Sequence, residues 1–542
     1  MKITSIKIDN FKSFGEKNNY LGNLSNMNIL IGKNNSGKST VLQILELIFH
    51  DPKKNIQPQL RSELSKRFMR NEKEAKVFLY VKLTDNELQY FFPENPFNNI
   101  LGHYSELRKK LIDVIFTVEI NVKSLFSEKT FKIYIEENKN DKNSIENNKI
   151  PVINQHLNPK LFRTIIEKNN IILFPAIRKV NEEIGGVQDI RLDPNGKFLT
   201  LTVEFIIRDH NQDERIIEES LRDNIKDFFP EMGNFSIAVL KVGENTHISL
   251  DHIPMSGYGT GIMDIFLILA NIKIREAMGE KINFICIEEP ENNLHPSMQK
   301  KLLKFLRNLS KNEKQIFIST HSPYFVEPND IKNLYKLSLV GKDSKISWAD
   351  HEIIDSLKDN DLLRIIRPNN TTAFFSDKVI FVEGIEDELF LSHIASEFGK
   401  SIEETSFIQC NGFGDIPKFK KLFDAFEIKS YIIGDSHCIG DKNFLKSVDL
   451  KNQINDEDSD DVKREKLRKN GIFILKRKDI PEYYDPSIEG KNLERCMKVI
   501  KQMKLKDIIS NSKLDYSEES EFESIFDQIF PEQLLFKDTK FV

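Results

Sequence analysis

The chain has 542 residues, of which 39% are apolar and 30% are charged, a composition typical of a folded globular protein rather than a disordered or fibrous one. This length exceeds what one hydrophobic core usually organises, so two or three domains are expected. With 83 acidic and 78 basic residues, the net charge of −5 excludes a global attraction to DNA or membranes, and any nucleic-acid site has to be a local patch.

Cysteine usage and hydropathy restrict the class of protein further. The four cysteines have no CxxC spacing, which excludes a disulfide framework and a cysteine zinc site. No run of about 18 apolar residues is present, so we expect no contact with the membrane and a cytoplasmic location.

The first predicted elements are a pair of strands, residues 4–8 and 27–31, and a helix over 39–49. Between the second strand and the helix lies the pattern G-x-x-x-x-G-K-S of a phosphate-binding loop. Its glycines let backbone N–H groups wrap the phosphates, Lys38 places charge on the β- and γ-phosphates, and Ser39 can bind Mg²⁺. The alternative, an accidental glycine-rich turn, leaves the flanking strand and helix unexplained. The candidate ATP-binding residues of the loop are Gly32, Asn34, Asn35, Ser36, Gly37, Lys38, Ser39 and Thr40.

The next segments are less informative until a second apolar strand appears at residues 284–287. Residues 50–250 contain strand-like pieces such as 77–81, and 136–149 are predicted to form an exposed loop. The strand at 284–287 ends in Glu288 and Glu289. An acidic pair after a strand is usually only a polar strand end, but together with the phosphate-binding loop it predicts ATP hydrolysis. Glu288 would then hold Mg²⁺, and Glu289 would orient or deprotonate the attacking water.

Two further motifs match the order found in ABC-type ATPases. Ser256 and Gly257 belong to S-G-Y-G-T-G, just before the helix that leads to the acidic strand, and this segment resembles a divergent ABC signature. His321 follows a predicted strand at 315–318 in S-T-H-S-P and resembles the switch histidine that senses the γ-phosphate. A single histidine after a strand is more often structural, so the interpretation depends on its order relative to the other motifs.

Four segments resemble the RecF-like and OLD-family (overcoming lysogenization defect) ATPases. They are I-D-N-F-K-S-F at 8–14, F-P-A-I-R at 174–178, E-E-P-E-N-N-L-H-P at 288–296 and S-T-H-S-P at 319–323. The resemblance implies an ATPase domain over 1–340, with Lys12 approaching the nucleotide. It also implies two ATP sites between two ATPase heads, and hence a homodimer or higher oligomer. The Q-loop glutamine stays open between Gln57 and Gln59.

After a polar segment at 341–376, predicted to be a linker, a second α/β pattern begins. Strands are predicted at 378–382, 406–410, 430–433 and 472–475, with helices at 386–397 and 417–426. The first strand leads into E-G-x-x-D at 383–387. Carboxylates at strand ends are what a nuclease uses to hold Mg²⁺ or Mn²⁺. The alternative is an acidic helix N-terminus, which the helix dipole favours.

This pattern resembles the Toprim domain that follows the ATPase in OLD-family proteins, and it would occupy 377–484. Segments at 409–412, 432–437 and 473–484 match later Toprim and OLD motifs. The family's second acid of D-x-D is replaced by His437, a neutral ligand that suits Mn²⁺ or Zn²⁺ better than Mg²⁺. Glu383 and Asp435 are the implied catalytic acids, and Lys478 would neutralise developing phosphate charge, with Lys476 an equal candidate. The implied metal ligands are Glu383, Asp387, Asp435 and Glu482, with His437 as an optional one.

The predicted fold class is therefore α/β, an ABC-type head with a mixed sheet and inserted helical segments followed by a Toprim-like parallel α/β domain and a helical segment at 485–542. The resemblance implies an ATP-regulated, metal-dependent DNA endonuclease, with ATP and Mg²⁺ at the ATPase site and Mg²⁺ or Mn²⁺ at the Toprim site. An anti-phage role is expected, as in Gabija-type and retron-associated nucleases. A partner encoded separately, a helicase-like protein or a reverse transcriptase with its DNA, would be consistent with it.

Two other functions compete with the nuclease. An ATPase scaffold or sensor with a non-cleaving Toprim domain that binds nucleic acid or a partner protein is motivated by His437. The ATPase subunit of a membrane transporter is disfavoured, because such subunits carry a tighter signature motif and need no Toprim-like tail.

Overall fold

The described chain forms two compact units, residues 1–325 with 333–346, and residues 326–332 with 347–542. The computed structural model describes the following parts of the chain. Up to residue 250 they are 1–49, 74–91, 108–121, 131–135, 159–178, 183–184, 192–209, 219–229 and 237–250, except residues 18, 110, 113, 197–198, 220, 224, 227 and 243–244. After residue 250 they are 253–502, 510 and 520–531, except residues 358, 368–369, 401, 411, 413, 415, 442–443, 446–447, 449, 451–453 and 456.

The first unit contains three sheets and six described helices. Its strands are β1 (Lys2–Asp9), β2 (Tyr20–Leu21), β3 (Met27–Gly32), β4 (Lys76–Lys82), β5 (Phe116–Asn121), β6 (Phe131–Ile135), β7 (Asn170–Phe174), β8 (Glu183–Ile184), β9 (Ile237–Val242), β10 (Asn245–Leu250), β11 (Ile253–Pro254), β12 (Ile282–Glu288), β13 (Gln315–Thr320), β14 (Leu334–Val340) and β15 (Asp343–Ser347). Its helices are α1 (Lys38–Phe49), α2 (Asp85–Leu88), α3 (Pro159–Lys168), α4 (Leu199–Asp209), α5 (Thr260–Ala277) and α6 (Pro296–Ser310).

The central sheet of this unit has six strands in the order β15-β14-β3-β13-β12-β7. Strands β14, β3, β13, β12 and β7 pair in parallel, and every residue of β3, β12 and β13 is buried. Uninterrupted apolar runs in these strands are what a sheet covered on both faces requires, so the strands predicted from them are confirmed. The parallel arrangement brings the ends of β3, β12 and β13 to one edge of the sheet.

The two strands predicted as a pair at the start of the chain lie in different sheets, so that pairing was wrong. Strand β1 pairs antiparallel with β2 and β4 in a five-stranded sheet of order β2-β1-β4-β5-β6. The predicted strand at 77–81 is confirmed as part of β4. A third sheet has the order β11-β10-β8, with β9 also paired to β10. Gln57, Gln59 and the predicted loop at 136–149 lie outside the described residues.

The second unit is built on a four-stranded parallel sheet of order β17-β16-β18-β19. Its strands are β16 (Lys378–Val382), β17 (Thr405–Gln409), β18 (Lys429–Gly434) and β19 (Ile472–Ile474). Its helices are α7 (His351–Asp355), α8 (Asp359–Ile365), α9 (Ile385–Glu397), α10 (Ile416–Ala425), α11 (Asp460–Arg468), α12 (Asn492–Gln502) and α13 (Glu521–Ile529). The parallel α/β pattern predicted for this part of the chain is confirmed.

Helices at both ends of the second unit extend it beyond the predicted Toprim bounds. Residues 341–376, predicted to be a linker, contain all of β15, the helices α7 and α8, and a 3-10 turn over Thr371–Phe375. Residues of α12 and α13, among them Cys496, Phe522 and Phe526, are buried in one core with Phe390 of α9. Across the described parts of the chain, no helix is both long enough and apolar enough to cross a membrane.

Candidate functional site

The loop between β3 and α1 has the backbone that phosphate binding requires. Gly32 has a φ of 143°, and a Cβ there would collide with the Leu337 carbonyl oxygen of β14. Gly37 has a φ of 105°, and a Cβ would lie 2.7 Å from the Ser344 hydroxyl oxygen of β15. Only glycine fits either position without displacing the neighbouring strands. The glycines of the motif are thus explained by this chain's own packing.

The buried Lys38 side chain folds back over this loop. Its ammonium group donates hydrogen bonds to the carbonyls of Gly32, at 2.8 Å, and Lys33, at 2.9 Å. Burial lowers the pKa of Lys38 to about 8, against the opposing charges of Glu289 and Glu291. Anionic phosphates would offer this ammonium stronger acceptors than neutral carbonyls, because hydrogen bonds to charged groups are the stronger ones.

The other loop residues divide into exposed and buried ones. Asn34, Asn35 and Ser39 are exposed, whereas Ser36 and Thr40 are buried. Within the described residues, the buried Ser36 Oγ and the buried Glu288 Oε1 have no hydrogen-bond partner. Buried polar atoms are normally paired, so two orphaned oxygens beside Lys38 and Ser39 fit a site that a nucleotide and its metal ion complete.

Glu288, at the end of β12, meets the phosphate-binding loop. Its carboxylate accepts a hydrogen bond from the Ser39 side chain and lies 3.4 Å from the Ala176 backbone nitrogen. Burial raises the pKa of Glu288, while these two hydrogen bonds oppose the shift. Because both predicted Mg²⁺ ligands of the ATPase site are in contact, the two residues form a coherent oxygen donor set for that ion.

Glu289 and His321 face each other across the ends of β12 and β13. The His321 Nε2 atom lies 3.9 Å from Glu289 Oε1, and both side chains are about one third exposed. Burial and the charge of Lys38 lower the pKa of His321, against the charge of Glu289. The structure thus brings the predicted catalytic acid and switch histidine together, with the histidine favoured in its neutral form at pH 7.

Sequence reasoning missed the role of two residues near this pair, the half-buried Glu291 and the buried Arg178. Glu291 accepts a hydrogen bond from the backbone N–H of His321 at 2.6 Å, and this bond holds the backbone of His321 in place just after β13. Arg178, noted only as part of a family match, donates to the carbonyls of Glu288 and Glu289 at 2.8 and 3.2 Å. Both residues lie in segments that resemble the OLD family, 174–178 and 288–296, and this resemblance was the sequence signal that could have identified them.

Lys12 and the signature segment occupy different places. The Lys12 ammonium is hydrogen-bonded to the Gln43 side chain of α1, and the burial that lowers its pKa is opposed by the charge of Glu288. Lys12 therefore lies near Glu288, at the edge of the proposed nucleotide site. Ser256 and Gly257 are exposed in a 3-10 turn before α5, and no described contact places them against this chain's own phosphate-binding loop.

In the second unit, Glu383 and Asp435 lie at the carboxyl ends of the neighbouring parallel strands β16 and β18. His437 Nε2 is 3.9 Å from Glu383 Oε2, and Asp387 accepts a hydrogen bond from the Gly384 N–H at 2.9 Å. These residues come together because parallel strands end at the same sheet edge. The predicted Toprim acids are thus neighbours.

Burial and, to a smaller extent, mutual repulsion raise the pKa values of two of these acids. Burial raises the pKa of Asp435 to about 7, and the charges of Asp387, Glu383, Asp479 and Glu482 add to the shift. Burial likewise raises the pKa of Asp387 to about 6, with Glu383 adding to it. Asp479 was not among the predicted ligands. Its signals were its position after the strand at 472–475 and its place in the matched segment 473–484.

The donor chemistry fits a hard divalent cation, since carboxylate oxygens are the preferred ligands of Mg²⁺ and Mn²⁺. Nevertheless, no group of three or more His, Cys, Asp or Glu side chains in the described residues is arranged to hold a metal ion. Metal binding at this sheet edge would therefore require the side chains of these acids to rearrange.

The late segment after β19 contains the remaining predicted residues. Lys478 and Glu482 are exposed, and the Glu482 carboxylate accepts the Lys478 backbone N–H at 3.0 Å. Lys476 Nζ lies 4.0 Å from Asp461 Oδ1. The Lys478 ammonium has no ion pair within the described residues, which favours it over Lys476 as a cation available to a substrate.

Two protein-family models match the chain. The model described as AAA ATPase domain matches residues 1–326, and the model described as Overcoming lysogenization defect protein-like, TOPRIM domain matches residues 374–436. The predicted order of an ATPase followed by a Toprim domain, and the resemblance to the OLD family, are therefore confirmed. The second match includes Glu383, Asp387 and Asp435, whereas His437, Lys478 and Glu482 lie beyond it.

Two relatives are similar over most of their length. Endonuclease GajA from Bacillus cereus (strain HuB5-5) is 23% identical, over 90% of this chain and 86% of the relative. Endonuclease GajA from Bacillus cereus (strain VD045) is 26% identical, over 82% of this chain and 76% of the relative. Among solved structures, the SMC head domain from Thermotoga maritima aligns with 65% of this chain and 100% of its own length, at 13% identity and a TM-score of 0.32.

Proposed function

This chain belongs to the AAA ATPase domain family, and on that premise we propose that it is an ATP-regulated, metal-dependent DNA endonuclease of the OLD family. The observation that carries the proposal is the set of acids Glu383, Asp387 and Asp435 at one edge of a parallel sheet, in a chain whose phosphate-binding loop also contacts Glu288 through Ser39. Two relatives that are named as endonucleases, and that are similar to most of this chain, support the proposal.

In the ATPase unit, each residue has a distinct task. The loop amides and Lys38 hold the phosphates, while Ser39 and Glu288 would hold Mg²⁺, which neutralises phosphate charge when bound. Glu289 takes the proton of the attacking water or orients it. His321, neutral and 3.9 Å from Glu289, would donate a hydrogen bond to the γ-phosphate. ATP binding would favour the closed state of two ATPase heads, and this shift in population would control the activity of the second unit.

In the second unit, Glu383, Asp387 and Asp435 form the donor set, with His437 and Glu482 beside them. When bound, Mg²⁺ or Mn²⁺ there would stabilise the attacking and leaving oxygens of a phosphodiester. Lys478 is exposed and would neutralise charge on the phosphate being cleaved. Asp479 joins this set, because its charge acts on Asp435.

The remaining assignments belong to the same proposal. A second copy of the chain would supply Ser256 and Gly257 to cap each ATP site, which their exposure permits.

We place the protein in the cytoplasm and in anti-phage defence, acting alone or with a separately encoded helicase-like protein. A reverse transcriptase partner with its DNA, as in retrons, has no support from the relatives.

The test is a cleavage assay on supercoiled, linear and single-stranded DNA, with Mg²⁺ or Mn²⁺ and with or without ATP. Glu383→Ala is expected to abolish cleavage while retaining ATP hydrolysis. The matched control is Glu397→Ala, an exposed carboxylate at the far end of α9, which should cleave normally. A wild-type protein that cleaves no DNA under any of these conditions would contradict the proposal.

A second candidate function, an ATPase scaffold with a non-cleaving Toprim domain, is favoured by two observations. His437 replaces an acid, and the described acids do not converge as a metal site. The discriminating variant is His437→Asp. If only this variant cleaves DNA with Mg²⁺, the natural site has lost its activity and the scaffold is the better description.

A further inference from the structure

The outer face of α6, together with the residue that caps its C-terminus, carries four cations in one row. Lys300, Lys304, Arg307 and Lys311 follow one another at spacings of four, three and four residues. At about 100° of rotation per residue, they fall within an arc of about 60°, and the row is about 16 Å long. Lys300, Lys304 and Lys311 are exposed, whereas Arg307 is half-buried. We call these four residues the α6 basic row.

The segment that carries the row contains no acidic residue of its own. Residues 296–311 contain no Asp or Glu, and Lys301 adds a fifth cation to the helix. The Lys300 ammonium lies 5.6 Å from the centre of the Tyr324 ring, and Lys311 donates to the Asn308 side chain at 3.3 Å. Within the described residues, Lys300, Lys304 and Lys311 form no ion pair. Lys314, just beyond the row, pairs with Glu276 at 2.9 Å.

A solvated helix surface explains this arrangement poorly. Like charges three or four residues apart repel and destabilise a helix. The helix dipole favours cations only in the last turn, which accounts for Arg307 and Lys311 but not for Lys300 in the first half. The chain as a whole is acidic, at −5, so the row also departs from the mean composition. Four aligned cations therefore indicate an anionic partner.

We propose that the α6 basic row binds the phosphate backbone of duplex DNA. This inference rests on the proposed endonuclease function, which fixes DNA as the substrate class. Consecutive cations of the row are about 4.5 to 6 Å apart along the helix axis, which flexible lysine stems can match to the phosphates of one strand. Each contact releases counterions, so the binding energy comes from several exposed charges acting together.

The helix itself is firmly held. Gln299 donates to the Leu294 carbonyl at 2.8 Å and accepts from the Ser322 hydroxyl at 2.5 Å, and Leu302, Leu303 and Leu306 are buried beneath the row. A fixed helix presents its cations in one orientation, which reduces the entropy lost on binding. The row is thus a rigid surface rather than a mobile basic tail.

The test is binding of a labelled DNA duplex without divalent metal, followed by fluorescence anisotropy over about 50 to 200 mM salt. The variant Lys300→Glu, Lys304→Glu and Lys311→Glu is compared with a control of equal charge change, Lys2→Glu, Lys132→Glu and Lys281→Glu, whose lysines are exposed elsewhere in the same unit. The row variant should bind at least tenfold more weakly than the control. Its slope of log affinity against log salt should be smaller by about three.

Failure of the DNA-binding inference and failure of the endonuclease proposal would give different results. Equal binding by the row variant and the control, or tighter binding of duplex RNA than of duplex DNA to the row, would overturn the inference. The triple Lys→Gln variant should show the same loss of slope, which guards against an effect of the added carboxylates. Unchanged ATP hydrolysis and thermal unfolding show that the variants fold. A protein that binds DNA through the row but never cleaves it would contradict the endonuclease proposal instead.

Discussion

The Arg178 guanidinium lies 3.6 Å from the Asp264 carboxylate, measured from Nε to Oδ1, and both side chains are buried. Asp264 belongs to α5, the helix that follows the signature turn, and it accepts a further hydrogen bond from Asn293 at 3.1 Å. The same guanidinium holds the carbonyls at the end of β12. This pair therefore connects the signature helix to the turn that carries Glu289.

Arg178 is expected to be a positioning residue for hydrolysis. Glu289 has a φ of 44°, a left-handed conformation that costs roughly 1 kcal/mol or more and persists only if neighbouring groups hold it. In Arg178→Lys the charge remains, but one ammonium cannot reproduce the planar fork. We expect ATP hydrolysis to fall about 10- to 100-fold while ATP affinity stays the same, since small displacements of catalytic groups have effects of this size.

The measurement is steady-state ATPase kinetics together with direct nucleotide binding. Arg163→Lys is the matched control, because this half-exposed arginine of α3 forms a surface ion pair with Glu167 at 2.9 Å. A lower melting temperature with an unchanged kcat would limit Arg178 to a structural role.

Glu289→Gln tests the catalytic acid itself. The amide keeps the size of the side chain but cannot accept the proton of water, so ATP should bind normally and be hydrolysed about 100-fold more slowly. Lys38→Ala should instead weaken nucleotide binding, because the loop loses its one buried ammonium. The control is Glu313→Gln, an exposed acid of the same unit. Equal ATPase rates in Glu289→Gln and wild type would remove Glu289 from this role.

The buried Glu521 of α13 is expected to organise the late Toprim segment. Its carboxylate accepts hydrogen bonds from the Tyr483 hydroxyl at 2.6 Å and from the Lys476 backbone N–H at 3.0 Å. In Glu521→Gln, the side-chain NH₂ group would face one of these donors, which leaves a buried group unsatisfied at a cost of about 1 to 3 kcal/mol. Nuclease activity should fall as the loop that carries Asp479 loosens.

DNA cleavage and thermal unfolding of the Glu521→Gln protein are measured beside Glu523→Gln, a half-buried acid of the same helix. Cleavage at the wild-type rate with Glu521→Gln would show that α13 only completes the core.

The parts of the fold set by local pattern could be predicted from the sequence. The apolar runs of β3, β12 and β13 and the loop at Gly32–Lys38 are local features, and the structure has them where they were predicted. The pairing of β1 with β4 could not be predicted, since antiparallel partners are chosen by packing between distant segments. Arg178–Asp264 and Tyr483–Glu521 join residues far apart in sequence, and such contacts leave no periodic signal.

Glu276 provides a test of pH dependence away from both sites. It pairs with Lys314 at 2.9 Å and with Lys273 at 3.2 Å, and all three side chains are less than one third exposed. Burial by itself would raise the pKa of Glu276, but the hydrogen bond from Lys314 and the charge of Lys273 outweigh it, so the pKa lies below its ordinary value. A carboxyl group whose pKa is lower in the folded state stabilises that state only while it is ionised.

Glu276→Gln should therefore lower stability at pH 7 by about 0.5 to 1 kcal/mol, the range for a partly exposed ion pair. The difference from wild type should be constant above the unfolded-state pKa, about 4.3, and should disappear as the pH falls through the lower folded-state pKa. Thermal unfolding at several pH values measures it, followed on the transition that ATP raises, because ligand binding marks the ATPase unit. About 1 M salt, which shortens the screening length to about 3 Å, should shrink the pH 7 difference. A difference that grew on acidification would show that Glu276 is not held by these lysines as an ion pair.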